Sequence, residues 1–509
     1  MYYFLNTKVD INKSGIEHAQ IKRMNLFNQH QIQNKIVTKA LVLNAVDILK
    51  ASRIPLANYL NMYDFFRQET IKNSPYMLSD FKIPAGMTMR QVNDEYLIDY
   101  QGKTLMILMT VSSSDLRIDN IRLLSKDGKL VKTSWYDRRG FIGVEEYFDK
   151  TNHLSVKQIL SPSGKAVCQI FYEVDKQNKV KPTLYQLLGY QGLDLEFSSE
   201  EDLMTFFLDE LAKNDRQTVL IGDRATEYAY SLFHMTEKTF KVLVLHSSHV
   251  ADNDHPLSAN LNNNFYYSLN HLNNWDAIVT STQAQRTDFT YRYGHNQSTY
   301  TIPVGTIEDN ITIEPFENRV PYYIGLVARL AHEKQQLQAV KAIEKVLEVV
   351  PQVQLHLFGY SNGNYGQKVK DLVAQKNLAQ HVIFEEYTDD IQKAYQNMQL
   401  QLLTSSVEGF AMAVLEGQSH GVPQVSYDIK YGPSDIITDN EDGYLVKPND
   451  SNALADKIID YFKNLDQAKQ MSQKAYQNSQ RFSQSEVFKT WQPLFNQVRR
   501  FYQRQEVIR

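Results

Sequence analysis

Two acidic side chains lie eight residues apart in one short stretch, residues 402–437 (LLTSSVEGFAMAVLEGQSHGVPQVSYDIKYGPSDII). The apolar run before Glu408 predicts a buried strand, Gly409 and Phe410 break it, and the residues that follow have helical composition. Glu408 is therefore expected at the carboxyl end of a strand, and Glu416 about two turns into the next helix. Such carboxylates should point to different parts of one crevice. They could hold two hydroxyl-bearing groups of one ligand, a sugar and a ribose, through charge-assisted hydrogen bonds.

Two cations follow an earlier predicted strand, YYIGLVA, in the pattern ArgLeuAlaHisGluLys. Arg329 lies at the carboxyl end of this strand, and Lys334 lies at the start of a predicted helix. A guanidinium binds phosphate bidentately, and a helix N-terminus adds backbone N–H donors. The pair therefore predicts a diphosphate cradle. A solvated helix start is the alternative, but the glutamates downstream in the same predicted sheet favour the cradle.

A glycine and two histidines belong to the first predicted sheet. Gly15 lies in the first strand-to-helix loop, where a residue without Cβ lets the backbone approach a phosphate or a sugar. His246 and His249 end a strand, VLVLHSSH, and should face the crevice. One of the two imidazoles is expected to bind a sugar hydroxyl or to stabilise developing charge, the alternative being a loop histidine with satisfied hydrogen bonds. No third ligand follows at a suggestive spacing, so no metal site is expected.

The elements that must position these side chains fall into zones of different periodicity. The chain starts with a predicted strand, glycine loop and helix. It then alternates with a period of two, with AspGly at 127–128 and SerGly at 163–164 as hairpin turns, and afterwards returns to alternating strands and helices. We predict an α/β fold with two doubly wound sheets, a β-rich antiparallel insertion and a ligand crevice. The predicted domains are 1–76 with 197–310, the insertion 77–196, the second sheet 311–485, and a helix 486–509 that crosses back to the first sheet.

Composition narrows the class of protein. The chain has 509 residues, a net charge of −4 and dispersed basic residues, which gives no footprint for nucleic acid. Cys168 is the only cysteine, so no intrachain disulfide forms and a reducing cytosol fits. The first residues lack the pattern of a signal peptide, and no run reaches the length of a membrane span. A cytoplasmic protein is expected, with at most a peripheral contact at the inner face of the membrane.

These features together resemble the retaining, nucleotide-sugar-dependent GT-B glycosyltransferases of family 4. The residues that carry the resemblance are Gly15, His246, His249, Arg329, Lys334, Glu408 and Glu416. The segments NMYDFF at 61–66, WYDRRGF at 135–141 and YDIKYGPSD at 427–435 narrow it to a bacterial subgroup. That subgroup is similar to the GtfA-type and SD-repeat transferases, which glycosylate serine-rich surface adhesins, and to the TarM-type transferases of wall teichoic acid.

The resemblance implies a role for each part of the chain. The N-terminal Rossmann-like domain would lie on the acceptor side, the C-terminal one would bind UDP-GlcNAc or UDP-glucose without a metal, and the insertion would serve acceptor binding or oligomerisation. Arg329 with Lys334 would hold the diphosphate, Glu408 the sugar and Glu416 the ribose. The residues implied to contact the UDP-sugar are Gly15, Arg329, Lys334, Glu408, Gly409, Phe410 and Glu416; those implied around the reacting centre are Arg329, Lys334, Glu408, His246 and His249.

The acceptor is expected to be serine or threonine hydroxyls of a serine-rich bacterial adhesin before export. Arg138 and Arg139 are expected on the surface of the insertion, where they would take part in acceptor recognition or self-association. The alternative is that these arginines only pair with neighbouring carboxylates on the sheet. One alternative is a poly(polyol-phosphate) wall teichoic acid, which a basic groove on the insertion would favour. Another is a non-catalytic partner subunit, against which the retained glutamates and cations argue. A homologous partner subunit or a homo-oligomer is compatible with the sequence.

Overall fold

The computed structural model describes residues 1–71, 73–295, 297–309, 311–361, 363–385 and 391–508, without the side chains of residues 507 and 508. The strands in this part of the chain are β1 (Tyr2–Asn6), β2 (Asn34–Thr38), β3 (Tyr59–Asn61), β4 (Thr88–Val92), β5 (Glu95–Tyr100), β6 (Lys103–Thr110), β7 (Ile118–Leu124), β8 (Leu130–Asp137), β9 (Phe141–Phe148), β10 (Leu154–Leu160), β11 (Ala166–Val174), β12 (Val180–Tyr190), β13 (Leu193–Phe197), β14 (Val219–Gly222), β15 (Phe240–Leu245), β16 (Ala277–Thr280), β17 (Thr299–Thr301), β18 (Tyr323–Val327), β19 (Gln354–Phe358), β20 (Val382–Glu385), β21 (Leu400–Leu403), β22 (Gln424–Tyr427) and β23 (Gly443–Val446).

The α-helices in the same part of the chain are α1 (Gly15–Gln29), α2 (Ala45–Ala51), α3 (Met62–Arg67), α4 (Glu200–Asn214), α5 (Ala225–Phe233), α6 (Tyr266–Asn270), α7 (Gln283–Tyr293), α8 (Gln336–Leu347), α9 (Tyr365–Gln375), α10 (Gln392–Asn397), α11 (Met412–Ser419), α12 (Pro433–Ile436), α13 (Ser451–Lys463), α14 (Leu465–Ser479) and α15 (Gln484–Ile508).

The strands form three sheets. A seven-stranded sheet has the order β17-β16-β15-β14-β1-β2-β3, and a six-stranded sheet has the order β20-β19-β18-β21-β22-β23. The strand pairs described within these two sheets are parallel. In the sequence, β4 to β13 are inserted between β3 and β14 of the seven-stranded sheet, and they form a ten-stranded antiparallel sheet in chain order. The predicted pair of parallel sheets with a β-rich antiparallel insertion is confirmed.

The difference in strand patterning follows from how each sheet is covered. β18, β19 and β21 are buried over most of their length, and their apolar side chains share one core with α8 and α13. The ten-stranded sheet alternates instead, because its strands are only partly buried. Its predicted turns are present, with Gly128 at φ +77° and Gly164 at φ +82°, a backbone region that favours glycine.

Strand order places particular loops at two switch points. In the six-stranded sheet the chain leaves β18 toward β19 and β20 on one side, and β21 lies on the other side. In the seven-stranded sheet the same reversal separates β1 from β14. Ligands of open α/β sheets bind outside the carboxyl ends of the strands at such points. A ligand site is therefore expected at the loops after β1, β14, β18 and β21.

The contacts between residues divide the chain into two compact units. One contains residues 1–13, 33–220 and 227–239, with the ten-stranded sheet; the other contains residues 14–32, 221–226 and 240–509, with α1 and the six-stranded sheet. All the predicted site residues belong to the second unit. The domain boundaries expected from the sequence stay a prediction.

Helix α15 is held against the first parallel sheet inside the second unit. The hydroxyl of Tyr502 accepts the backbone N–H of Phe240 at 3.2 Å, and the hydroxyl of Tyr300 donates to Gln497 Oε1 at 2.6 Å. The ring of Trp491 lies edge-on to Phe27 of α1, with the centroids 5.0 Å apart. These contacts fasten the end of the chain to α1, β15 and β17.

The expectation that Arg138 and Arg139 lie on the surface of the insertion is wrong. Their side chains are 9% and 14% exposed. Arg138 pairs with Asp119 at 2.7 Å, and Arg139 pairs with Asp137 at 2.7 Å and with Asp64 of α3 at 3.0 Å. Arg139 therefore holds the sheet to α3, Arg138 braces the sheet itself, and both are unsuited to probing acceptor recognition.

Candidate active site

The cationic loop follows β18 at the switch point of the six-stranded sheet. Arg329 stands two residues beyond the strand, and its carbonyl accepts a hydrogen bond of 2.8 Å from the side chain of Gln336. Lys334 ends a single 3-10 turn, and Gln335 has a φ of +50° before α8 begins. The sequence predicted Lys334 at the helix start; the structure places it one short turn earlier, so its side chain comes from the loop.

The loop after β21 is bonded to the cationic loop. The hydroxyl of Thr404 donates to the carbonyl of Lys334 at 2.8 Å, and the backbone N–H of Ser406 donates to the carbonyl of Glu333 at 2.8 Å. These bonds fix the backbone of one loop against the other. They place Lys334, one of the two predicted diphosphate cations, beside the predicted sugar carboxylate.

Glu408 and Lys334 form a direct ion pair. Lys334 Nζ lies 2.6 Å from Glu408 Oε1, and the side chains are 18% and 13% exposed. The hydroxyl of Ser405 donates to the same carboxylate oxygen at 2.7 Å. The second oxygen of Glu408 can therefore accept a hydroxyl from a ligand, because an ionised carboxylate offers about four acceptor positions.

The guanidinium of Arg329 is the more accessible cation of the loop. It pairs with Glu333 at 3.2 Å, and both side chains are 37% exposed. A half-exposed pair of this kind contributes little to stability, about 0.2–1 kcal/mol in typical cases. The guanidinium can therefore reorient toward an anionic ligand at small cost.

Glu416 lies in a separate polar cluster. It is the fifth residue of α11, about one turn into the helix, because the helix begins only at Met412. Lys22 of α1 donates to Oε1 at 2.8 Å, and the hydroxyl of Tyr395 donates to Oε2 at 3.3 Å. Burial would raise the pKa of Glu416, but the charge and hydrogen bond of Lys22 outweigh it and hold the pKa below its ordinary value. Glu408 and Glu416 thus have different partners, as their spacing predicted.

Gly409 brings the glutamate loop against the end of β15. A Cβ added to Gly409 would overlap the carbonyl oxygen of His246, so only glycine allows this approach. The ring of Phe410 is 3% exposed and packs against Phe482 with the centroids 5.5 Å apart. Phe410 can therefore meet a ligand only through its backbone.

His246 is tied to a buried carboxylate that the sequence analysis did not single out. Its Nε2 lies 2.7 Å from Asp223 Oδ1, and the two side chains are 8% and 0% exposed. Asp223 follows β14, at the switch point of the seven-stranded sheet. The signal that could have found it is the charged residue that ends the apolar run TVLIGD at 218–223.

His249 has different surroundings. Its side chain is fully buried, and neither ring nitrogen has a hydrogen-bond partner within the described residues. The rings of Phe289 and Tyr431 are its aromatic neighbours, at centroid distances of 5.5 and 6.1 Å. Burial, together with the charge of Arg292, lowers the pKa of His249 to about 4. Of the two histidines, His246 is the one that lies beside the glutamate loop.

Gly15 is the first residue of α1. A Cβ added here would lie 3.5 Å from Met412 Cε, an ordinary contact, so the protein itself does not require glycine. Glu17 accepts the backbone N–H of Ser14 at 2.7 Å and pairs with Arg224. An acidic cap already occupies this helix end, which favours a neutral sugar over a phosphate beside Gly15.

The described residues contain neither a candidate metal site nor a candidate membrane-spanning helix. No group of three or more His, Cys, Asp or Glu side chains in that part of the chain is arranged to hold a metal ion. None of the helices described there combines the length and the apolar character needed to cross a bilayer.

Comparison with known proteins places this geometry in a family. Residues 309–478 match the model of the family Glycosyl transferases group 1. This segment is similar to the group 1 glycosyl transferases. It contains Arg329, Lys334, Glu408 and Glu416, the two cations and the two carboxylates described above.

Relatives match over almost the whole chain. The poly(ribitol-phosphate) alpha-N-acetylglucosaminyltransferase of Staphylococcus aureus is 24% identical, over 96% of this chain and 98% of its own length. The GtfA subunit of the UDP-N-acetylglucosamine–peptide N-acetylglucosaminyltransferase of Streptococcus gordonii is 24% identical, over 98% of each chain. The crystal structure of the pneumococcal O-GlcNAc transferase GtfA, in complex with UDP and GlcNAc, superposes with a TM-score of 0.85 at 20% identity and covers 98% of each chain.

These matches test the predicted family relation and the predicted fold. The predicted relation to family 4 glycosyltransferases of the GtfA and TarM types is confirmed, and so is the GT-B fold. The relatives differ in the acceptors that their names give, a poly(ribitol-phosphate) in one case and a peptide in the other.

Proposed function

We propose that this protein is a retaining glycosyltransferase that moves a sugar, GlcNAc or glucose, from a UDP donor to an acceptor hydroxyl. The observation that carries the proposal is the joined pair of loops after β18 and β21, which sets Lys334 against Glu408 and carries Arg329 in the same cationic loop, inside the group 1 segment. Arg329 and Lys334 bind the diphosphate of the donor. Glu408 accepts a hydroxyl of the sugar, and Glu416, in its separate cluster, accepts those of the ribose.

The chemistry of the step follows from these charges. Negative charge builds on the β-phosphate as UDP leaves, and preorganised cations that face it lower the barrier. Glu408 is a poor nucleophile for a double displacement, because Lys334 already compensates its charge. We infer front-face attack by the acceptor hydroxyl, with the configuration at the anomeric carbon retained.

For the acceptor we propose serine or threonine hydroxyls of a serine-rich surface protein, modified in the cytoplasm before export. The support is the likeness to the GtfA subunit of Streptococcus gordonii, whose name gives a peptide acceptor. That relative is named as a subunit, and a homologous partner or a homo-oligomer is part of the proposal.

A second acceptor has a structural observation in its favour. An open groove of about 570 Å³ on the ten-stranded sheet is lined by three cations, Arg122, Lys129 and Lys150, and by no carboxylate, although Glu95 pairs with Arg122 at 3.8 Å. A polyanion such as a poly(polyol-phosphate) suits such a surface better than a neutral peptide does. The likeness to the Staphylococcus aureus enzyme, whose name gives a poly(ribitol-phosphate), supports the same candidate.

The direct test supplies both acceptors to one preparation of enzyme. Labelled UDP-GlcNAc, UDP-glucose and other UDP-sugars are incubated with a serine-rich peptide or with purified teichoic polymer, and the anomeric configuration of the product is read by NMR. An α-linked product on either acceptor supports the transferase. If every donor and acceptor combination fails while the folded protein still binds UDP, the non-catalytic partner subunit replaces it.

The groove gives a prediction that separates the two acceptors. Replacing Arg122, Lys129 and Lys150 together by glutamine should lower transfer to a teichoic polymer by about tenfold or more, because three favourable charges are lost. Transfer to a neutral peptide should change little. Initial rates with both acceptors at two salt concentrations check this, and equal losses on both would exclude a polyanion groove.

We also predict that transfer persists in the presence of EDTA. The cations of Arg329 and Lys334 compensate the diphosphate, which reduces the need for Mg²⁺ or Mn²⁺. The rate of UDP release with and without the chelator is the measurement. Complete loss of turnover, restored by a divalent ion, would reveal a metal site.

A further inference from the structure

Asp223 is the centre of a buried cluster formed by Asp223, Gln20, Arg23 and His246. The carboxylate is 0% exposed. Arg23 pairs with Oδ2, Gln20 Nε2 lies 2.8 Å from the same oxygen, and His246 Nε2 lies 2.7 Å from Oδ1. A buried carboxylate is stable only with such charged and hydrogen-bonding partners. The cluster is therefore a built arrangement that fixes all four side chains.

The carboxylate of this cluster is ionised at neutral pH. Burial alone would raise the pKa of Asp223, but the charge of Arg23 and then the hydrogen bond from His246 outweigh it and lower the pKa to about 2. An ionised carboxylate only accepts hydrogen bonds. Each of the three neighbours must consequently donate to Asp223.

This requirement determines which ring nitrogen of a neutral His246 carries the hydrogen. Because Nε2 donates to Asp223, the neutral imidazole carries its hydrogen on Nε2 and leaves Nδ1 as an acceptor. Without the carboxylate, the two neutral tautomers would be close in energy and the ring could turn. The ring orientation of His246 thus depends on Asp223, although Asp223 itself is closed to solvent.

The backbone of His246 is fixed as well. It follows β15 directly, and its carbonyl lies against Gly409 in the loop of Glu408. The side chain is 8% exposed, so Asp223 and the backbone together leave it little freedom. Both the position and the tautomer of His246 are therefore fixed where it contacts the loop of Glu408.

We propose that Asp223, held by Arg23 and Gln20, is a positioning residue that orients His246 and keeps Nδ1 ready to accept a hydroxyl hydrogen of the donor sugar. This inference rests on the proposed function, and it adds a residue that acts through another without touching the substrate. Carboxylates act in the same way in metalloproteins, where they accept the N–H of a metal-binding histidine and so fix its tautomer and ring orientation.

The test is a double-mutant cycle on transfer. Asp223→Asn keeps the shape but offers an amide, and should lower kcat by about 10- to 100-fold. The Kd for UDP should stay within about threefold, since the diphosphate is bound elsewhere. In a His246→Ala background the same change should cost nothing further. Equal losses from Asp223→Asn in both backgrounds would overturn the proposal, because a merely structural role would lower both rates alike.

A matched control is available in Asp209. Its buried carboxylate accepts the backbone N–H groups of Thr236 and Glu237 at 3.0 and 2.9 Å. Asp209→Asn should lower the thermal unfolding temperature as Asp223→Asn does, but kcat below that temperature should stay near the wild-type value. A comparable loss of kcat in both variants would assign the effect of Asp223 to stability and overturn the proposal.

A second measurement does not depend on turnover. Two-bond ¹H–¹⁵N correlation spectra distinguish the Nε2–H from the Nδ1–H tautomer, and the signal of His246 is assigned by its loss in His246→Gln. The expected result is the Nε2–H tautomer in the wild-type protein and a mixture in Asp223→Asn. The same tautomer in both proteins would overturn the inference, whereas failure of transfer on every acceptor would overturn the proposed function alone.

Discussion

Replacing Arg329 by alanine is expected to lower the rate of sugar transfer by about a hundredfold while the fold stays unchanged. The guanidinium contacts Glu333 at 3.2 Å and is half-exposed, so no core packing is lost. In the proposed function it faces the charge that builds on the leaving diphosphate, and one such contact contributes about 3 kcal/mol to the transition state. The measurements are kcat from released UDP and the thermal unfolding temperature.

Arg90 supplies the matched control for that variant. It pairs with Asp99 at 2.6 Å in the ten-stranded sheet, and its side chain is 53% exposed. Arg90→Ala removes a similar exposed ion pair, so its stability change should be equally small. Transfer by Arg90→Ala should stay near the wild-type rate. A folded Arg329→Ala protein that also transfers at that rate would remove Arg329 from the donor site.

Replacing Gly409 by alanine is expected to be the more disruptive change, affecting both activity and stability. The new Cβ would overlap the carbonyl oxygen of His246, and a backbone atom there cannot move aside as a flexible side chain could. Overpacking of this kind costs about 1–3 kcal/mol in stability. It also moves Glu408 away from the end of β15, so we expect at least a hundredfold loss of kcat, since an error of about 1 Å can have that effect.

Gly15 separates a clash within the protein from a clash with the ligand. A Cβ at Gly15 would only touch Met412 Cε at 3.5 Å, so Gly15→Ala should unfold at nearly the wild-type temperature. If the backbone there approaches the donor sugar, the variant should nevertheless bind the UDP-sugar more weakly. If Gly409→Ala unfolds at the same temperature as Gly15→Ala, the loop of Gly409 is not packed against the carbonyl of His246 as described.

The sheets could be predicted because their signals are local. A buried parallel strand such as β21 is a short apolar run, and the turns at Gly128 and Gly164 need residues that tolerate positive φ. The start of α11 is less local. Ala411 has a φ of +68° and delays the helix to Met412, so Glu416 lies one turn into it instead of two.

Pairings between distant parts of the chain could not be predicted in the same way. Asp223 meets Arg23, two hundred positions earlier in the sequence, and nothing near either residue marks the other. Arg139 was wrongly predicted to be exposed, because its segment is polar. The sequence does not show that Asp64 of α3 faces this arginine and pairs with it in a buried position. Periodicity reports which face of an element is buried, but it does not report which charges meet there.

Lys334 and Lys22 act as internal counter-ions for Glu408 and Glu416. On the proposed function, loading the donor is therefore an exchange of partners and not a separation of charge. A diphosphate that draws Lys334 toward itself leaves Glu408 in need of a new donor, which a sugar hydroxyl supplies. We expect the nucleotide and sugar halves of the donor to bind cooperatively, so that UDP strengthens the binding of the free sugar and the sugar strengthens that of UDP by the same factor.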